Sequence, residues 1–451
     1  MEESTIIKKH KPFSPTIKIA LGYIAFILVG TLLLLMPFSS NSGQSVGFMP
    51  AFFTSTSAVC VTGLYVVDIY TSFNFFGQLV VILLVQFGGL GFMTMASLLL
   101  MMLGRRISLK DKLSIAESLS DDNMSTSLKT IKMIVITTAC VEFLGAVCAL
   151  PAFLQYEPGN VGLAIWRSVF NSIAAFCNAG FDLMGGPGMT PFVQTPLYNI
   201  VTITVILCGG LGPAVITNVA KRIRGKEKIT FNSKMIIYSS LIALFGGGLY
   251  IFIAEFNNPA TLGDLPLGDK ILAALFQSMT TRSAGFSTID NGALTAGGYL
   301  ASNILMVIGV APASTGGGIK LATLVVLLAS IKTTVSGGDE YSVAKRSINK
   351  KTFNKAVAIL LVYILAICGA LAVISLTDNQ FTLEQLLFEC ISALSNVGLT
   401  TGITWDLSAA AQLVLIVLMY LGRAGFRCVG YRLVGPNKVT IRYPDSKIVI
   451  G

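Results

Sequence analysis

Four times along the 451-residue chain, a short apolar segment ends in the same kind of four-residue pattern. In each copy a glycine precedes a bulky apolar residue. The glycines are Gly63, Gly180, Gly285 and Gly398, at intervals of 105 to 117 residues, which are too long for a solenoid. A phenylalanine stands ten residues before the glycine in three copies but nine before it in the third, which predicts a shorter loop there. Four copies of one unit predict four-fold pseudosymmetry, and a closed ring of backbone carbonyls is a device that strips water from a cation.

Composition places the repeated unit in a membrane, since 53% of the residues are hydrophobic and 12% are charged. Apolar runs of about 20 residues, long enough to cross ~30 Å of hydrocarbon, recur throughout the chain. The first run lacks a convincing cleavage site, so we expect it to stay as the first span. The runs predict outer helices near 17–36, 128–153, 234–254 and 354–376, and inner helices near 76–103, 195–220, 298–331 and 408–435.

The net charge of +10 is distributed unevenly between the two sides of the membrane. Lysines and arginines gather in the N-terminal tail and in loops that share one side, given an even number of spans per repeat. The opposite connections contain Asp68, Asp182 and Asp290 but neither Lys nor Arg. The positive-inside rule therefore predicts that both termini and the basic loops are cytoplasmic. We interpret the basic loops as topology signals that contact membrane lipid, and predict no nucleic-acid partner.

Several kinds of site are disfavoured by the residue types present. The eight cysteines show no Cys-x-x-Cys spacing, and the one histidine, His10, lies in the polar N-terminal tail. These features argue against a disulfide framework, a zinc site and a histidine-based catalytic triad. No Gly-x-x-x-x-Gly-Lys-Ser/Thr run for phosphate binding is present either. We therefore predict that the chain is not an enzyme and holds no covalent cofactor.

The first repeat shows how one unit is built. Residues 48–60 form a stretch of about 13 residues, too short to cross the bilayer, which predicts a re-entrant half-helix. Its partly negative C-terminal end favours a cation, and Gly63 allows a carbonyl to point inward. A single such motif is usually a turn or a helix-packing position, so its recurrence carries the prediction. The predicted filter residues are Cys60, Val61, Thr62, Gly63, Cys177, Asn178, Ala179, Gly180, Arg282, Ser283, Ala284, Gly285, Ser395, Asn396, Val397 and Gly398.

The predicted fold is an all-α membrane protein with four pseudo-repeats around a central pore. Each repeat has an outer helix, a re-entrant half-helix with a filter strand, and an inner helix. Non-helical backbone at membrane depth is tolerated only where protein buries it or water lines it, which places the filter strands inside the ring. The predicted segments are an N-terminal tail 1–16, repeats 17–105, 128–224, 234–332 and 354–435, and a C-terminal tail 436–451.

These units, with the run Thr-Ser-Thr-Ser-Ala-Val-Cys-Val-Thr-Gly-Leu at 54–64 and Gly-Gly-Leu-Gly-Phe-Met-Thr at 88–94, resemble the Ktr/Trk/HKT superfamily of cation transporters. The chain is most similar to the membrane subunits of bacterial Ktr-type potassium uptake systems, from about residue 15 to the C-terminus. The resemblance implies potassium uptake, often dependent on sodium, across the bacterial plasma membrane. It also implies a homodimer with one pore per subunit, its C-terminal tails at the interface, under a cytosolic ring of nucleotide-binding regulatory subunits. The implied potassium ligands are the carbonyls of Val61, Thr62, Asn178, Ala179, Ser283, Ala284, Asn396 and Val397.

The inner helices carry a second repeated motif, Gly88–Phe92, Gly209–Pro213 and Gly422–Phe426, with Arg423 where the other copies have glycine. We predict that Arg423 is a pore-facing charge below the filter, with snorkelling to the cytoplasmic interface as the alternative. The third copy, 309–320, is too rich in Gly and Pro for a continuous helix. The resemblance implies a movable loop that obstructs the pore there, and a passive helix break is the alternative. The predicted gate residues are Ser314, Thr315, Gly316, Gly317, Gly318, Lys320 and Arg423.

Two intramembrane acids and one departure from the family complete the pattern. Glu389 is predicted to brace the filter, against Arg282, and Glu142 to pair locally; an ion-coupling role for either is the weaker alternative. The run 426–432 departs from the family and leaves the end of the fourth inner helix open. In the resembled plant transporters a serine at the first filter glycine accompanies sodium preference, whereas all four positions here are glycine. A sodium-permeable or ion-symporting relative with the same fold remains the competing hypothesis.

Overall fold

The protein, as a computed structural model, is described over residues 15–91, 127–186, 188–225, 228–312, 314–335, 342–343 and 346–425. Four copies of one unit follow each other along these segments. The outer helices are Pro15–Leu35, Ser127–Tyr156, Phe231–Glu255 and Lys350–Thr377. The half-helices are Phe48–Cys60, Val161–Cys177, Leu267–Thr280 and Leu383–Ser395. The inner helices are Phe75–Leu90, Pro196–Ile223, the pair Ala296–Val307 and Leu321–Val335, and Ala409–Ala424.

Side-chain caps fix where the inner helices begin. Oxygens of Asn74, Thr295 and Ser408 accept hydrogen bonds of 3.1–3.2 Å from the backbone N–H groups three residues further on. Such caps satisfy donors that the first turn of a helix leaves unpaired. The second inner helix begins with Pro196, which has no N–H to leave unpaired.

Short elements connect the long helices. They are a four-residue helix, Ile69–Ser72, and the 3₁₀ turns Pro37–Ser39, Thr190–Phe192, Asn291–Ala293 and Thr404–Asp406. Between the third inner helix and the fourth outer helix, Ser342–Val343 pairs antiparallel with Arg346–Ser347.

The core lies inside the ring of half-helices. The phenylalanines that mark the repeats in the sequence, Phe53, Phe170, Phe276 and Phe388, are at most 1% exposed. The outer helices have the opposite character: the apolar spans Lys132–Tyr156, Phe231–Glu255 and Lys350–Thr377 are only 22–28% buried. Long apolar helices that turn most of their surface outward match a lipid environment, in which a protein has no need to hide leucine or valine.

The prediction of continuous inner helices is wrong in the described residues. The first helix ends at Leu90, the fourth ends at Ala424, and the second bends by 105° at Gly212. Gly91, Gly212 and Gly425 share φ of 78–83° with ψ of 139–156°, a conformation that side chains with a β-carbon avoid. The third inner helix, expected to break, is interrupted between Val307 and Leu321. The predicted continuations 92–103 and 426–435 lie outside the described residues.

Candidate ion pathway

In three repeats the filter strand starts with a left-handed residue that directly follows the half-helix, and in the third repeat that residue, Ser283, lies three positions beyond the last helical residue, Thr280. Val61, Asn178, Ser283 and Asn396 have φ of 51–63°, and the glycine two residues later has φ of 66–99° in every repeat. Left-handed backbone at alternate positions is rare for residues other than glycine, so its four-fold recurrence marks one built structure. The four segments therefore share a backbone conformation as well as a sequence pattern.

The four segments close into a ring. A β-carbon added to Gly180 would lie 2.8 Å from Gly285 Cα and 3.0 Å from Ala284 O. A β-carbon added to any of the other three filter glycines would contact the carbonyl of the residue just before the filter glycine of the next repeat. For the fourth repeat, the next repeat in the ring is the first. These carbonyls are Ala179 O for Gly63, Val397 O for Gly285 and Thr62 O for Gly398. Side chains at the glycines would therefore occupy the space that the carbonyls use.

The backbone N–H groups of the strands point back to the half-helices. In the first repeat Thr62 N donates to Ser57 O at 2.8 Å and Gly63 N donates to Ser57 Oγ at 3.0 Å. Val397 N and Gly398 N use Ser392 in the same way, at 2.9 and 3.1 Å. Within the described segments, none of the eight predicted ligand carbonyls accepts a hydrogen bond. The donors are held outward, which leaves the acceptors available to a cation.

The third segment is one residue shorter, as Phe276 predicts. In the other three repeats the residue before the glycine donates to the carbonyl five positions earlier, at 2.8–2.9 Å. In the third repeat Ala284 N donates to Thr280 O, four positions earlier, at 2.9 Å, and Gly285 N shares that carbonyl at 3.3 Å. The shorter turn is thereby accommodated without disrupting the ring.

Asparagines at the left-handed positions hold the second and fourth strands to their inner helices. The Asn396 amide donates to Met419 O at 2.8 Å and to Thr62 Oγ1 of the first strand at 3.0 Å. The Asn178 amide nitrogen, in the orientation that satisfies both its atoms, donates to Ile206 O at 3.2 Å. Met419 and Ile206 occupy equivalent positions, each three residues before a motif glycine, so the two repeats use the same brace.

The predicted gate loop lies directly under the filter. A β-carbon on Gly316 would come within 2.8 Å of Ser283 Cβ, and one on Gly317 would contact the Ser395 carbonyl. Thr315 Oγ1 donates to Phe176 O, near the end of the second half-helix, at 3.2 Å. The loop is therefore in contact with the second, third and fourth filter segments.

Arg423 joins the loop to the first inner helix. Its guanidinium donates to Thr315 O, to Gly88 O, and to Gly89 O at 3.2 Å. All three acceptors are backbone carbonyls at the breaks of the inner helices, and Gly88 O also accepts from Gly91 N at 3.3 Å. The side chain therefore points inward from the fourth inner helix, and the snorkelling alternative does not describe its contacts.

Two further contacts complete the cluster below the filter. Lys320 Nζ donates to Gly316 O at 2.6 Å, which closes the loop on itself. Ala311 N donates to Gly210 O at 3.1 Å, which ties the loop to the second inner helix. With Arg423, these bonds bring the breaks of all four inner helices to one place.

Several polar residues have partners that the sequence did not predict. Arg282, predicted beside Glu389, donates to Ser240 O of the third outer helix at 2.9 Å and is 1% exposed, so its side chain leaves the filter. Glu389 accepts from Thr400 Oγ1, Thr401 N and Thr404 Oγ1 at 2.7–2.9 Å, so the predicted pair with Arg282 is wrong. Glu142 accepts from Gln86, 56 positions away, so its predicted local partner is wrong too.

Two serines that hold filter strands were not predicted from the sequence, because both lie in apolar stretches. Ser57 and Ser392 lie six residues before their filter glycines, and that spacing was a usable signal. Cys60 and Cys177, predicted filter residues, are buried as the last residues of their half-helices. No group of three or more His, Cys, Asp or Glu side chains in the described residues could hold a metal ion. The carbonyl ring is thus the candidate cation site.

Similar sequences occur in known transporters. A family model described as TrkH, cation transport protein, matches residues 10–429. Ktr system potassium uptake protein B of Bacillus subtilis strain 168 is 34% identical over 451 residues, 100% of both chains. Potassium/sodium uptake protein NtpJ of Enterococcus hirae is 34% identical over 99% of this chain and 100% of its own.

A solved structure agrees with the fold. The potassium transporter TrkH from Vibrio parahaemolyticus superposes with a TM-score of 0.75 at 18% identity, over 95% of this chain and 86% of that one. Relatives and fold alike are those of membrane ion transporters, which are not enzymes. This chain therefore belongs to the TrkH family of cation transport proteins.

Proposed function

We propose that the chain conducts potassium into the cell, down its electrochemical gradient, along the axis of the four filter strands. The observation that carries the proposal is the closed ring in which most strand N–H groups donate to their half-helices while, among the described residues, the eight carbonyls accept no hydrogen bond. Carbonyl oxygens in such rings replace the hydration shell of an ion. The relative from Bacillus subtilis, named for potassium uptake, supports this choice of ion.

The competing function is a sodium-permeable or ion-symporting transporter with the same fold. The name of the Enterococcus hirae relative, potassium/sodium uptake protein, favours it. Glycine at all four filter positions favours potassium in this chain. In the proposed function the potassium ion is the substrate, and the sodium ion is an activator of uptake.

The deciding experiment compares potassium and sodium flux into liposomes that hold the purified protein. Potassium flux should exceed sodium flux, and Gly63→Ser should lower the ratio about tenfold, or ~1.4 kcal/mol, because its side chain displaces Ala179 O. Gly246→Ser is the matched control, since nothing lies within 4 Å of a β-carbon there. An unchanged ratio in Gly63→Ser protein would exclude a filter at this site.

The gate of the proposed pathway is the loop of residues 314–318 together with Lys320 and Arg423. Its contacts with three filter segments and with the inner helices support this assignment. A gate must be a low-stability part of a rigid pore, with two arrangements of similar free energy, and a glycine-rich loop meets that need. Leu321–Val335 follows the loop directly and leads to the basic side, where a cytosolic nucleotide-binding ring can bias it.

The proposed setting is the bacterial plasma membrane, with both termini cytoplasmic and the chain in a homodimer. Lys221 and Arg222 end the second inner helix and Lys350 and Lys351 begin the fourth outer helix, which supports a cytoplasmic location for these helix ends. The name of the Bacillus subtilis relative, which refers to a Ktr system, supports a separate regulatory subunit.

A further inference from the structure

Three outer helices meet their half-helices through the same contact. In each of these repeats a serine hydroxyl of the half-helix donates to a backbone carbonyl of the outer helix, at 2.6–2.9 Å. Three residues after each carbonyl the outer helix has a glycine, whose added β-carbon would meet the same serine oxygen. The serine and carbonyl pairs are Ser55 with Ile27, Ser172 with Glu142, and Ser278 with Leu244. These contacts place the first three outer helices in one register.

The fourth outer helix follows the third in the same register. Glu255 and Asp378, at the C-terminal ends of these two helices, each accept from the residue that caps the following inner helix. Thr295 N donates to Glu255 Oε1 at 2.9 Å, and Ser408 N donates to Asp378 Oδ1 at 2.7 Å. The residues fifteen positions before these two acids, Ser240 and Tyr363, are therefore equivalent.

A residue with a hydroxyl group occupies that position in all four outer helices. Tyr23, Thr138 and Ser240 each lie four residues before the carbonyl that accepts from the half-helix serine, and Tyr363 is the fourth member. All four are only 2–6% exposed. Residues four positions apart lie on the same face of a helix, so these hydroxyls belong to the face that packs on the half-helices. A polar residue repeated at one buried position of four apolar helices indicates a partner inside the protein.

In the third and fourth repeats that partner belongs to the filter segment. Tyr363 OH and Ser395 Oγ share a hydrogen bond in which either oxygen can be the donor. Arg282 donates to Ser240 O at 2.9 Å and to Ser240 Oγ at 3.4 Å. Ser395 and Arg282 each stand directly before the left-handed residue of their strand. The outer helix therefore holds the residue from which each of these two strands starts.

In the fourth repeat this hold depends on the tyrosine hydroxyl. Ser395 is fully buried, and within the described segments Tyr363 is the one hydrogen-bond partner of its side chain. The Ser395 carbonyl accepts from Ser283 Oγ of the third strand at 3.2 Å. A β-carbon on Gly317 of the gate loop would contact that same carbonyl. Ser395 thus links Tyr363 to the third strand and to the gate loop as well as to its own strand.

We propose that Tyr363 is a positioning residue, whose hydroxyl maintains potassium selectivity by holding the fourth filter strand through Ser395. This inference rests on the proposed filter. A buried hydroxyl that loses its partner is costly, so without Tyr363 OH the Ser395 side chain turns to another acceptor and moves the start of the strand. The carbonyls of the ring then no longer keep the arrangement that replaces the hydration shell of potassium.

The first test measures the potassium-to-sodium flux ratio of Tyr363→Phe protein in liposomes. The ratio should fall about twofold to tenfold, the equilibrium effect of one hydrogen bond. A smaller amount of folded protein lowers both fluxes alike and leaves the ratio unchanged, so the ratio separates positioning from stability. Tyr238→Phe is the matched control, because Tyr238 is 65% exposed on the third outer helix. It should keep the wild-type ratio.

The second test is a double-mutant cycle with Ser395→Ala. Ser395→Ala alone should also lower the ratio about twofold to tenfold, because it removes the same hydrogen bond. The double variant Tyr363→Phe/Ser395→Ala leaves no hydroxyl of this pair without a partner. Its ratio should therefore be no lower than that of the lower single variant, since two residues that act through one bond do not have additive effects.

Two results would overturn the inference. One is a wild-type flux ratio in Tyr363→Phe protein or, should that variant not fold, in Ser395→Ala protein. The other is a double variant whose loss equals the product of the two single losses, which would show that the two side chains act independently. A wild-type protein without potassium preference would instead overturn the filter itself, and this inference with it.

Discussion

Val61 shows what the filter demands of a single residue. A β-branched side chain in the left-handed region is a genuine outlier and costs about 1–2 kcal/mol. The hydrogen bonds of Val61 N to Ala58 O and Thr62 N to Ser57 O hold the turn in place. At the equivalent positions Asn178 and Asn396 are residues that visit this region readily, so the second and fourth strands could be predicted from sequence more securely than the first.

Asp182, in the connection two residues after Gly180, tests the electrostatics at the mouth of the proposed pore. Burial raises the pKa of its carboxyl to about 6, although the hydrogen bond from Met184 N opposes the shift. The nearby Asp68 carboxylate raises the pKa further. Because the pKa in the folded state exceeds the ordinary value, stability from this group is present at low pH and lost as pH rises through about 6.

Asp182→Asn should therefore raise the free energy of unfolding by about 1–3 kcal/mol at pH 8 and by less at pH 4. Thermal unfolding of the purified protein in detergent at the two pH values measures the difference. Asp290→Asn is the control, since Asp290 is exposed and caps Gly292 N at 2.8 Å. An equal gain at both pH values would show that the charge of Asp182 is not responsible.

Glu389 and Arg282 mark the limit of sequence analysis for single residues. Both were identified as buried polar groups near the filter, but each bonds to other elements: Glu389 to residues 400–404 and Arg282 to Ser240. Partners so far from the expected ones depend on how four repeats close into a ring. Local spacing carries no information about that closure.

At the scale of elements, the inner helices differ most from their predictions. Their apolar residues continue beyond the breaks, and periodicity alone therefore predicts one long helix. The last glycine of each motif determines the outcome, because Gly91, Gly212 and Gly425 adopt positive φ. A single glycine within a helical pattern is usually tolerated. The glycine motif therefore lies where the inner helices end or bend, but it did not predict that they would.

Arg423 connects the fourth inner helix to the loop and to the first inner helix in the proposed gate, through hydrogen bonds to Thr315 O and Gly88 O. Arg423→Ala should raise potassium flux, because two unit charges ~4 Å apart repel by about 4 kcal/mol at an effective dielectric of ~20. The substitution also removes the bonds to Thr315 O and Gly88 O. Liposome flux with and without the proposed cytosolic regulatory subunit measures both the rate and the dependence on that partner.

Arg222→Ala, which removes an exposed charge at the end of the second inner helix, is the matched control. It should leave flux unchanged. A fall in flux, or an Arg423→Ala protein that does not fold, would make Arg423 a structural brace.

The organisation of the whole molecule could be predicted from the sequence more fully than its single contacts. The four glycines and the spaced phenylalanines indicate the repeats, the half-helices and the shorter third loop. The closed ring adds what spacing cannot supply: each glycine faces the carbonyl of the next repeat. That arrangement links residues more than 100 positions apart, and only the packed molecule shows it.

In the proposed function, one cation path runs between these four strands. Rubidium and thallium ions substitute for potassium and scatter anomalously, so crystals of the protein grown with either ion locate the path directly. We expect anomalous peaks on the axis, at coordination distance from the carbonyls of all four strands. Ions bound elsewhere in the protein, with none between Thr62, Ala179, Ala284 and Val397, would contradict a cation path through the ring.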